Sequence, residues 1–344
     1  MYKFLIGTFI LIGITCSVIF GQAARNPPKP APTPAGIKTV MPQGETPPAS
    51  SLNPTAELET ILNEAEKQII NYRDTFKDLL ATETKTFEEF DKSGDSKKQT
   101  VVESDFLVYQ SAQNANVTSE LRNVVKVDGK PVPDAQARSA RLSAELQKTT
   151  SVESELEKIQ KEGVRYDKTL EISGSTLFEG GVLLGELRPY FDFKMLGTEN
   201  YQGSEVYLIS YQQTKKSPFV IINGDDKEAS IGFSFKLDLP GALKNSDAFL
   251  RGKLWIDAKT YQIRREEREL TVQADTPLVV VKTDFIYQPS DYGILVPKQI
   301  TLVENLIKKN KDTDQYEAVK DIKVDFEYSK FRKTNTDVKI LDGD

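Results

Sequence analysis

The clearest fold signal in this sequence is the stretch GKLWIDAKTYQIRRE, residues 252–266. Trp255 and Ile256 favour an extended strand, because aromatic and β-branched side chains fit a pleated surface. The turn from Asp257 to Thr260 then reverses the chain. Strand-forming residues continue on both sides of this turn, so the stretch predicts a β-hairpin in an antiparallel sheet.

The rest of the second half also has the composition of strands. In residues 319–331, Val324 and Phe326 alternate with Lys323 and Asp325. Such alternation predicts one buried and one solvated face, as in an antiparallel sheet that is covered on one side. Further strands are predicted at 191–196, 206–211, 278–287 and 294–303. Because they follow one another through short turns, a meander is the simplest topology.

The first half combines helices with further hairpins. A helix is predicted over residues 54–71, since Pro54 suits the first helical position and apolar residues recur at helical spacing. Residues 76–90 and 100–110 predict a long hairpin, and 134–163 a second helical segment. The fold class expected from both halves is α+β with a mostly antiparallel sheet.

The first 23 residues have the features of a signal peptide. Lys3 precedes an apolar run that ends at Phe20, and the small residues Gly21 and Ala23 follow. This pattern predicts export to the periplasm, with cleavage between Ala23 and Ala24. The alternative is a retained membrane anchor, because the run is near the lower limit of about 17 residues for a span. The residues before Cys16 do not form a lipobox.

Three further segments are expected after the signal peptide. Residues 24–53 are rich in proline and predict a disordered linker. Residues 54–331 are expected to form a single α+β domain, and 332–344 a C-terminal tail.

Composition excludes several classes of function. The chain has no histidine, and its one cysteine, Cys16, lies in the signal peptide. Catalysis by Ser-His-Asp or Cys-His groups and the usual zinc sites are therefore excluded from the mature protein. With 45 basic and 51 acidic residues, the chain also lacks the positive charge that nucleic acids require. We expect a non-enzymatic protein without cofactor or metal, and with no stable membrane span after signal removal.

The densest charge run is RREERE, residues 264–269. On a strand, Arg264, Glu266 and Arg268 share one face, and the other three residues share the opposite face. Two interpretations stay open. The run is a solvated strand with cross-strand ion pairs, or one face points into a cavity where an arginine meets the polar end of a ligand.

The hairpin at 252–266 resembles the G-x-x-W-I-D-x-x-T-x-x-I-x-R hairpin of the LolA/LolB-like superfamily of periplasmic lipoprotein carriers. Residues 285–287 and 295–298 are similar to the two strands that follow it there. This resemblance covers about residues 190–331. It implies a strongly curved antiparallel half-barrel, with helices on its concave side and an apolar pocket between. Residues 72–190 resemble uncharacterised exported proteins of acidobacteria, through the stretches ESDFLV at 103–108 and VKVDGKPV at 125–132.

If the sheet curls as the resemblance implies, alternate apolar residues of neighbouring strands line the pocket. The candidate ligand-binding residues are Phe191, Phe193, Leu254, Ile256, Phe285, Tyr287, Val324 and Phe326. The alternative is that they pack against the helices as an ordinary core.

Two functions are consistent with these features. One is a periplasmic binding or carrier protein for an apolar or acylated ligand, such as a lipid or an acylated protein. The other is a non-enzymatic regulatory or scaffold module of the envelope that binds other proteins.

Overall fold

The computed structural model describes residues 54–77, 79–91, 93–110, 118–146, 180–218, 220–222, 233–235 and 237–333. The expected signal peptide, the linker and residues 334–344 of the tail lie outside these ranges, as do residues 147–163 of the predicted helical segment 134–163. The helices are α1 (Pro54–Phe76) and α2 (Ala135–Leu146). The strands are β1 (Leu79–Phe90), β2 (Ser96–Gln110), β3 (Thr118–Val127), β4 (Lys130–Pro131), β5 (Phe191–Tyr201), β6 (Ser204–Gln213), β7 (Val220–Ile222), β8 (Phe233–Phe235), β9 (Ala248–Asp257), β10 (Ile263–Val272), β11 (Leu278–Pro289), β12 (Leu295–Lys309) and β13 (Tyr316–Lys333).

Eleven of the described strands form one open antiparallel sheet, in the order β4-β3-β2-β1-β13-β12-β11-β10-β9-β6-β5. The predicted hairpin is β9 and β10, with Leu254 opposite Glu266. Strands β1–β4 and β9–β13 are two meanders, and the pairing of β1 with β13 joins them. The short strands β7 and β8 pair separately and in parallel. The predicted α+β class with a mostly antiparallel sheet is confirmed.

Helix α1 continues five residues beyond the predicted end at residue 71, to Phe76. The reason is that Tyr72 and Phe76 extend the apolar stripe of Ala65 and Ile69 at helical spacing, and all four side chains are buried. Aromatic residues favour strands in isolation, but here burial against the sheet outweighs that preference. The first strand therefore begins at Leu79 rather than at residue 76.

The helix lies on the concave side of the sheet. Near its end, the Phe76 ring lies 6.3 Å from that of Phe106 on β2, and Ile69 approaches Ile263 on β10. In a flat sheet these two strands would be about 24 Å apart, at about 4.8 Å for each strand spacing. Ile69 and Phe76 are separated by only about 10 Å along the helix axis. The sheet therefore curls towards α1, as the half-barrel expectation requires.

Two further segments cover the same side of the sheet. Leu183 and Leu187, which precede β5, are buried in the core that α1 shares with the strands. Phe233 and Leu243, which precede β9, belong to the same core.

Helix α2 is attached to β2 and β3 by a buried polar group. Arg138 donates to Asn123 Oδ1 at 2.9 Å, and Ser139 donates to Asp105 Oδ2 at 2.6 Å. Asp105 and Asn123 alternate with Phe106 and Arg122 along their strands, so this attachment is on the face opposite α1.

Candidate functional site

The eight candidate residues all lie in the core on the concave side of the sheet. Seven are buried, and Phe193 is half-buried and packs against the other members of the cluster. They come from four strands that the chain separates widely, and the curled sheet brings them together. The residues are Phe191 and Phe193 on β5, Leu254 and Ile256 on β9, Phe285 and Tyr287 on β11, and Val324 and Phe326 on β13.

Helix α1 fills the concave side in this conformation. The Tyr72 ring meets that of Tyr287 edge-on at 6.4 Å, and the Phe76 ring lies 6.1 Å from that of Phe331. A gap remains between α1 and the first residues of β10 and β12, beside Gln68 and Gln262. Its accessible space is about 10 Å³, which is enough for about one water molecule. The contacts of the candidate residues are those of a packed core, and their role in binding a ligand stays a prediction.

A buried ion pair lies in this apolar wall, on β10. Arg268 donates from Nε to Glu266 Oε1 and from Nη2 to Glu266 Oε2, both at 2.9 Å. Two other segments also donate to this carboxylate. The Tyr211 hydroxyl on β6 reaches Oε1 at 2.8 Å, and the Gly180 N–H reaches Oε2 at 2.9 Å. Glu266 thus links the sheet to the chain segment that precedes β5.

The surroundings of this pair explain its ionisation. Burial, together with the negative Glu266, raises the pKa of Tyr211 well above its ordinary value, so its hydroxyl stays a hydrogen-bond donor. Burial alone would lower the pKa of Arg268, but Glu266 and Tyr211 outweigh it and the pKa is raised. The guanidinium also lies between two rings, 4.4 Å from Phe233 and 4.8 Å from Phe285.

The structure contains the cross-strand ion pairs of the first interpretation, and it places two residues of the other face in the packed core. On the solvent side, Arg265 pairs with Asp284 at 2.9 Å and Glu269 pairs with Arg251 at 2.9 Å, which are cross-strand ion pairs. Glu266 and Arg268 point into the core. The charge pattern alone gave no sign of Tyr211 or Gly180 as their partners, since both are distant in sequence.

A second buried ion group lies at the other end of the concave side. Arg122 on β3 donates to Glu83 on β1 at 2.8 Å and to Glu120 at 3.0 Å. Its guanidinium lies 5.0 Å from the Phe106 ring. This group was not predictable from the sequence, because no local pattern joins residues of β1 and β3.

The described residues were also compared with the requirements of a metal site and of a membrane-spanning helix. Among the described residues, no group of three or more acidic, histidine or cysteine side chains is placed to hold a metal ion. In the same part of the chain, none of the helices has the length and apolar character needed to cross a bilayer.

No family model and no curated protein matches this chain. Several solved structures are similar to it in arrangement. A domain from Vibrio parahaemolyticus assigned to outer membrane lipoprotein sorting is 10% identical, with 80% of this chain and 95% of that chain covered and a TM-score of 0.33. A LolA superfamily protein from Nitrosomonas europaea is 9% identical, with 80% and 92% covered and a TM-score of 0.30. A DUF1329 family protein from Desulfovibrio piger is 12% identical, with 83% and 95% covered and a TM-score of 0.29.

One of these structures carries the name of the superfamily that the hairpin resembles. Identities and TM-scores of this size do not carry a function from one protein to another.

Proposed function

We propose that this protein is an exported, non-enzymatic binding or carrier protein for an apolar or acylated ligand. The ligand takes the place of helix α1 on the concave side of the sheet. The observation that carries this proposal is the apolar character of the seam between α1 and the strands. The eight candidate residues are the proposed wall of the ligand site.

Apolar side chains face each other along this seam. Ile61, Leu62 and Ala65 of the helix are buried in the same core as Leu254 and Phe326 of the strands. Apolar contacts are not directional, so an acyl chain can replace helix side chains without a matching pattern of donors and acceptors. Most outward positions of α1 are polar, with Ile70 as the exposed large apolar exception, which favours solvation of that face in the displaced helix.

The free energy of burying the α1 side chains and that of burying an acyl chain are of similar size. Five large apolar side chains of α1 are buried, at about 1.5–3 kcal/mol each, or about 8–15 kcal/mol together. An acyl chain of about 14 methylene groups gains about 11 kcal/mol on burial, at about 0.8 kcal/mol each. Exchange of the helix for a long acyl chain is therefore close to balanced, as reversible loading and release require.

The test is to hold α1 in place. A Cys16→Ser background removes the only cysteine of the chain. Gln68→Cys on the helix and Gln262→Cys beside β10 then place two thiols at the same gap, where a short bismaleimide can join them. We expect the cross-linked protein to lose binding of a fluorescent long-chain fatty acid, measured by fluorescence titration.

The matched controls are the two single-cysteine variants treated with the same reagent. The single variant Gln262→Cys is needed as a control because Gln262 accepts a hydrogen bond from the Leu295 N–H at 2.7 Å, and the substitution removes this bond. Both controls should bind the fatty acid. Undiminished binding by the cross-linked protein would contradict displacement of α1.

The second candidate is a scaffold module that binds other proteins. It is favoured by the packing of α1 on the concave side, where the Tyr72 ring meets that of Tyr287 and the Phe76 ring that of Phe331. A protein that neither binds the fatty acid nor co-purifies with lipid, as judged by mass spectrometry, would favour this candidate over the carrier.

A further inference from the structure

Residues 180–190, which we call the strap, lie between helix α1 and the concave wall of the sheet. The strap contains two 3₁₀ turns, Gly181–Leu183 and Arg188–Tyr190. Its apolar side chains, among them Val182 and Leu187, are buried in the shared core. The strap therefore contacts both partners of the seam that a ligand would have to open.

The attachment of the strap to the sheet is buried. The Gly180 N–H donates to Glu266 Oε2 at 2.9 Å, and this carboxylate is already held by Arg268. Gly180 has a φ of 56°, and a side chain there would overlap Ile263 and lie 2.7 Å from Ile69 Cδ1. A hydrogen bond to a buried carboxylate is stronger than a neutral one, and breaking it leaves the buried Gly180 N–H without an acceptor.

The polar contacts between the strap and the helix lie at the surface, where the Glu59 side chain is 59% exposed. The Gly185 N–H donates to Glu66 Oε1 at 2.8 Å. Arg188 donates to Asn63 Oδ1 at 2.6 Å and forms an ion pair with Glu59. Exposed ion pairs and hydrogen bonds of this kind are weak and are screened by salt.

The difference between the two attachments decides which one opens. We propose that the strap stays on the sheet as a fixed latch, and that its exposed contacts with α1 set how often the helix leaves the concave side. Arg188 contributes most to these contacts, because its side chain binds both Asn63 and Glu59 of the helix. This inference rests on the proposed function in one respect only, which is that opening of α1 admits the ligand.

Arg188→Met tests the latch, since methionine keeps an apolar stem but removes the charge and the donors. Hydrogen exchange of the full chain, followed by mass spectrometry, reports opening of α1 without any ligand. We expect amide exchange in residues 54–76 to become about fivefold faster, from the loss of two exposed contacts. Exchange at Leu183 and Leu184, whose N–H groups bond within the strap, should stay unchanged.

Lys67→Met is the matched control. It makes the same chemical change on α1, but Lys67 pairs with Glu64 of the same helix at 2.6 Å. Its exchange in residues 54–76 should stay within about twofold of the wild-type rate, as expected for an exposed pair within a helix. A second variant, Glu66→Ala, removes the acceptor of the Gly185 N–H and should also accelerate exchange in α1.

The outcomes separate the latch from the proposed function. Faster exchange in α1 together with faster association of a fluorescent fatty acid supports both. Faster exchange without any fatty acid binding supports the latch and overturns the proposed function. Unchanged exchange in Arg188→Met and Glu66→Ala overturns the latch, and so does an equal rise at Leu183 and Leu184, because the strap would then leave with the helix.

Discussion

At the scale of the residue, two glutamates of the same hairpin have opposite surroundings. Burial raises the pKa of Glu304 on β12, and the negative Asp321 adds to this shift. Glu317 on β13 is half-buried, and a hydrogen bond from Asn310 lowers its pKa, with help from Lys308. Glu304 is therefore more easily protonated in the folded protein than in the unfolded chain, and Glu317 less easily.

This difference predicts the effect of Glu304→Gln on stability. A raised folded pKa means that the carboxylate form of Glu304 opposes folding, and that this cost appears as pH rises above the unfolded value of about 4.3. The glutamine variant should therefore have a higher urea midpoint than wild type at neutral pH. The advantage should disappear on acidification below that unfolded value.

Glu317→Gln is the comparison, because the pKa of Glu317 is shifted in the opposite direction to that of Glu304. A lowered folded pKa contributes stability above the unfolded value, and this stability is lost as pH falls through the folded value. The Glu317→Gln variant should be less stable than wild type at neutral pH and should approach it in acid. Equal midpoints for wild type and Glu304→Gln at every pH would show that Glu304 is solvated.

At the scale of the element, the hairpin of β9 and β10 depends on a close approach of a third strand. Gly252 on β9 stands opposite Arg268, and Tyr211 of β6 passes over it to reach Glu266. A β-carbon at Gly252 would overlap the carbonyl oxygen of Glu267 and lie 2.5 Å from the Tyr211 ring. The glycine is thus required by the packing of three strands and not by a turn.

Gly252→Ala should destabilise the protein by about 1–3 kcal/mol, the usual cost of adding a group to a filled site. The measurement is the change in the free energy of unfolding from urea titration. Gly241→Ala is the control, because a β-carbon there has no neighbour within 4 Å and should change stability by less than about 0.5 kcal/mol. A free energy of unfolding equal to that of wild type would mean that β6 does not approach β9 this closely.

At the scale of the molecule, the two halves of the chain are interlocked in one sheet. The last strand, β13, lies between β1 from the first half and β12 from the second. One core cluster includes Phe106 from the first half and Leu254 from the second, with α1 between them. Neither meander can bury its concave face without this helix.

The interlocked sheet predicts a single unfolding transition for the part of the chain between α1 and β13. The only tryptophan, Trp255, reports on the β9–β10 hairpin, whereas far-ultraviolet circular dichroism reports on all strands. The two signals should follow the same urea curve, as two-state unfolding requires. Two separate midpoints would show that the halves fold as separate domains.

The sequence by itself determined the local elements. Trp255 and Ile256 before the turn at Asp257 predicted the central hairpin, and the alternation around Val324 predicted a sheet covered on one side. The stripe through Ile69 predicted helix α1. These features were predictable because alternation and helical spacing depend on residues a few positions apart.

Only the tertiary structure decided how these elements meet. The Gly180 N–H finds Glu266 across 86 residues of sequence, and β13 pairs with β1 although most of the chain lies between them. The eight candidate residues were predictable as inward-facing, but not whether a helix or a ligand would cover them. Burial against α1 depends on the curvature of the whole sheet, and no local pattern in the sequence specifies that curvature.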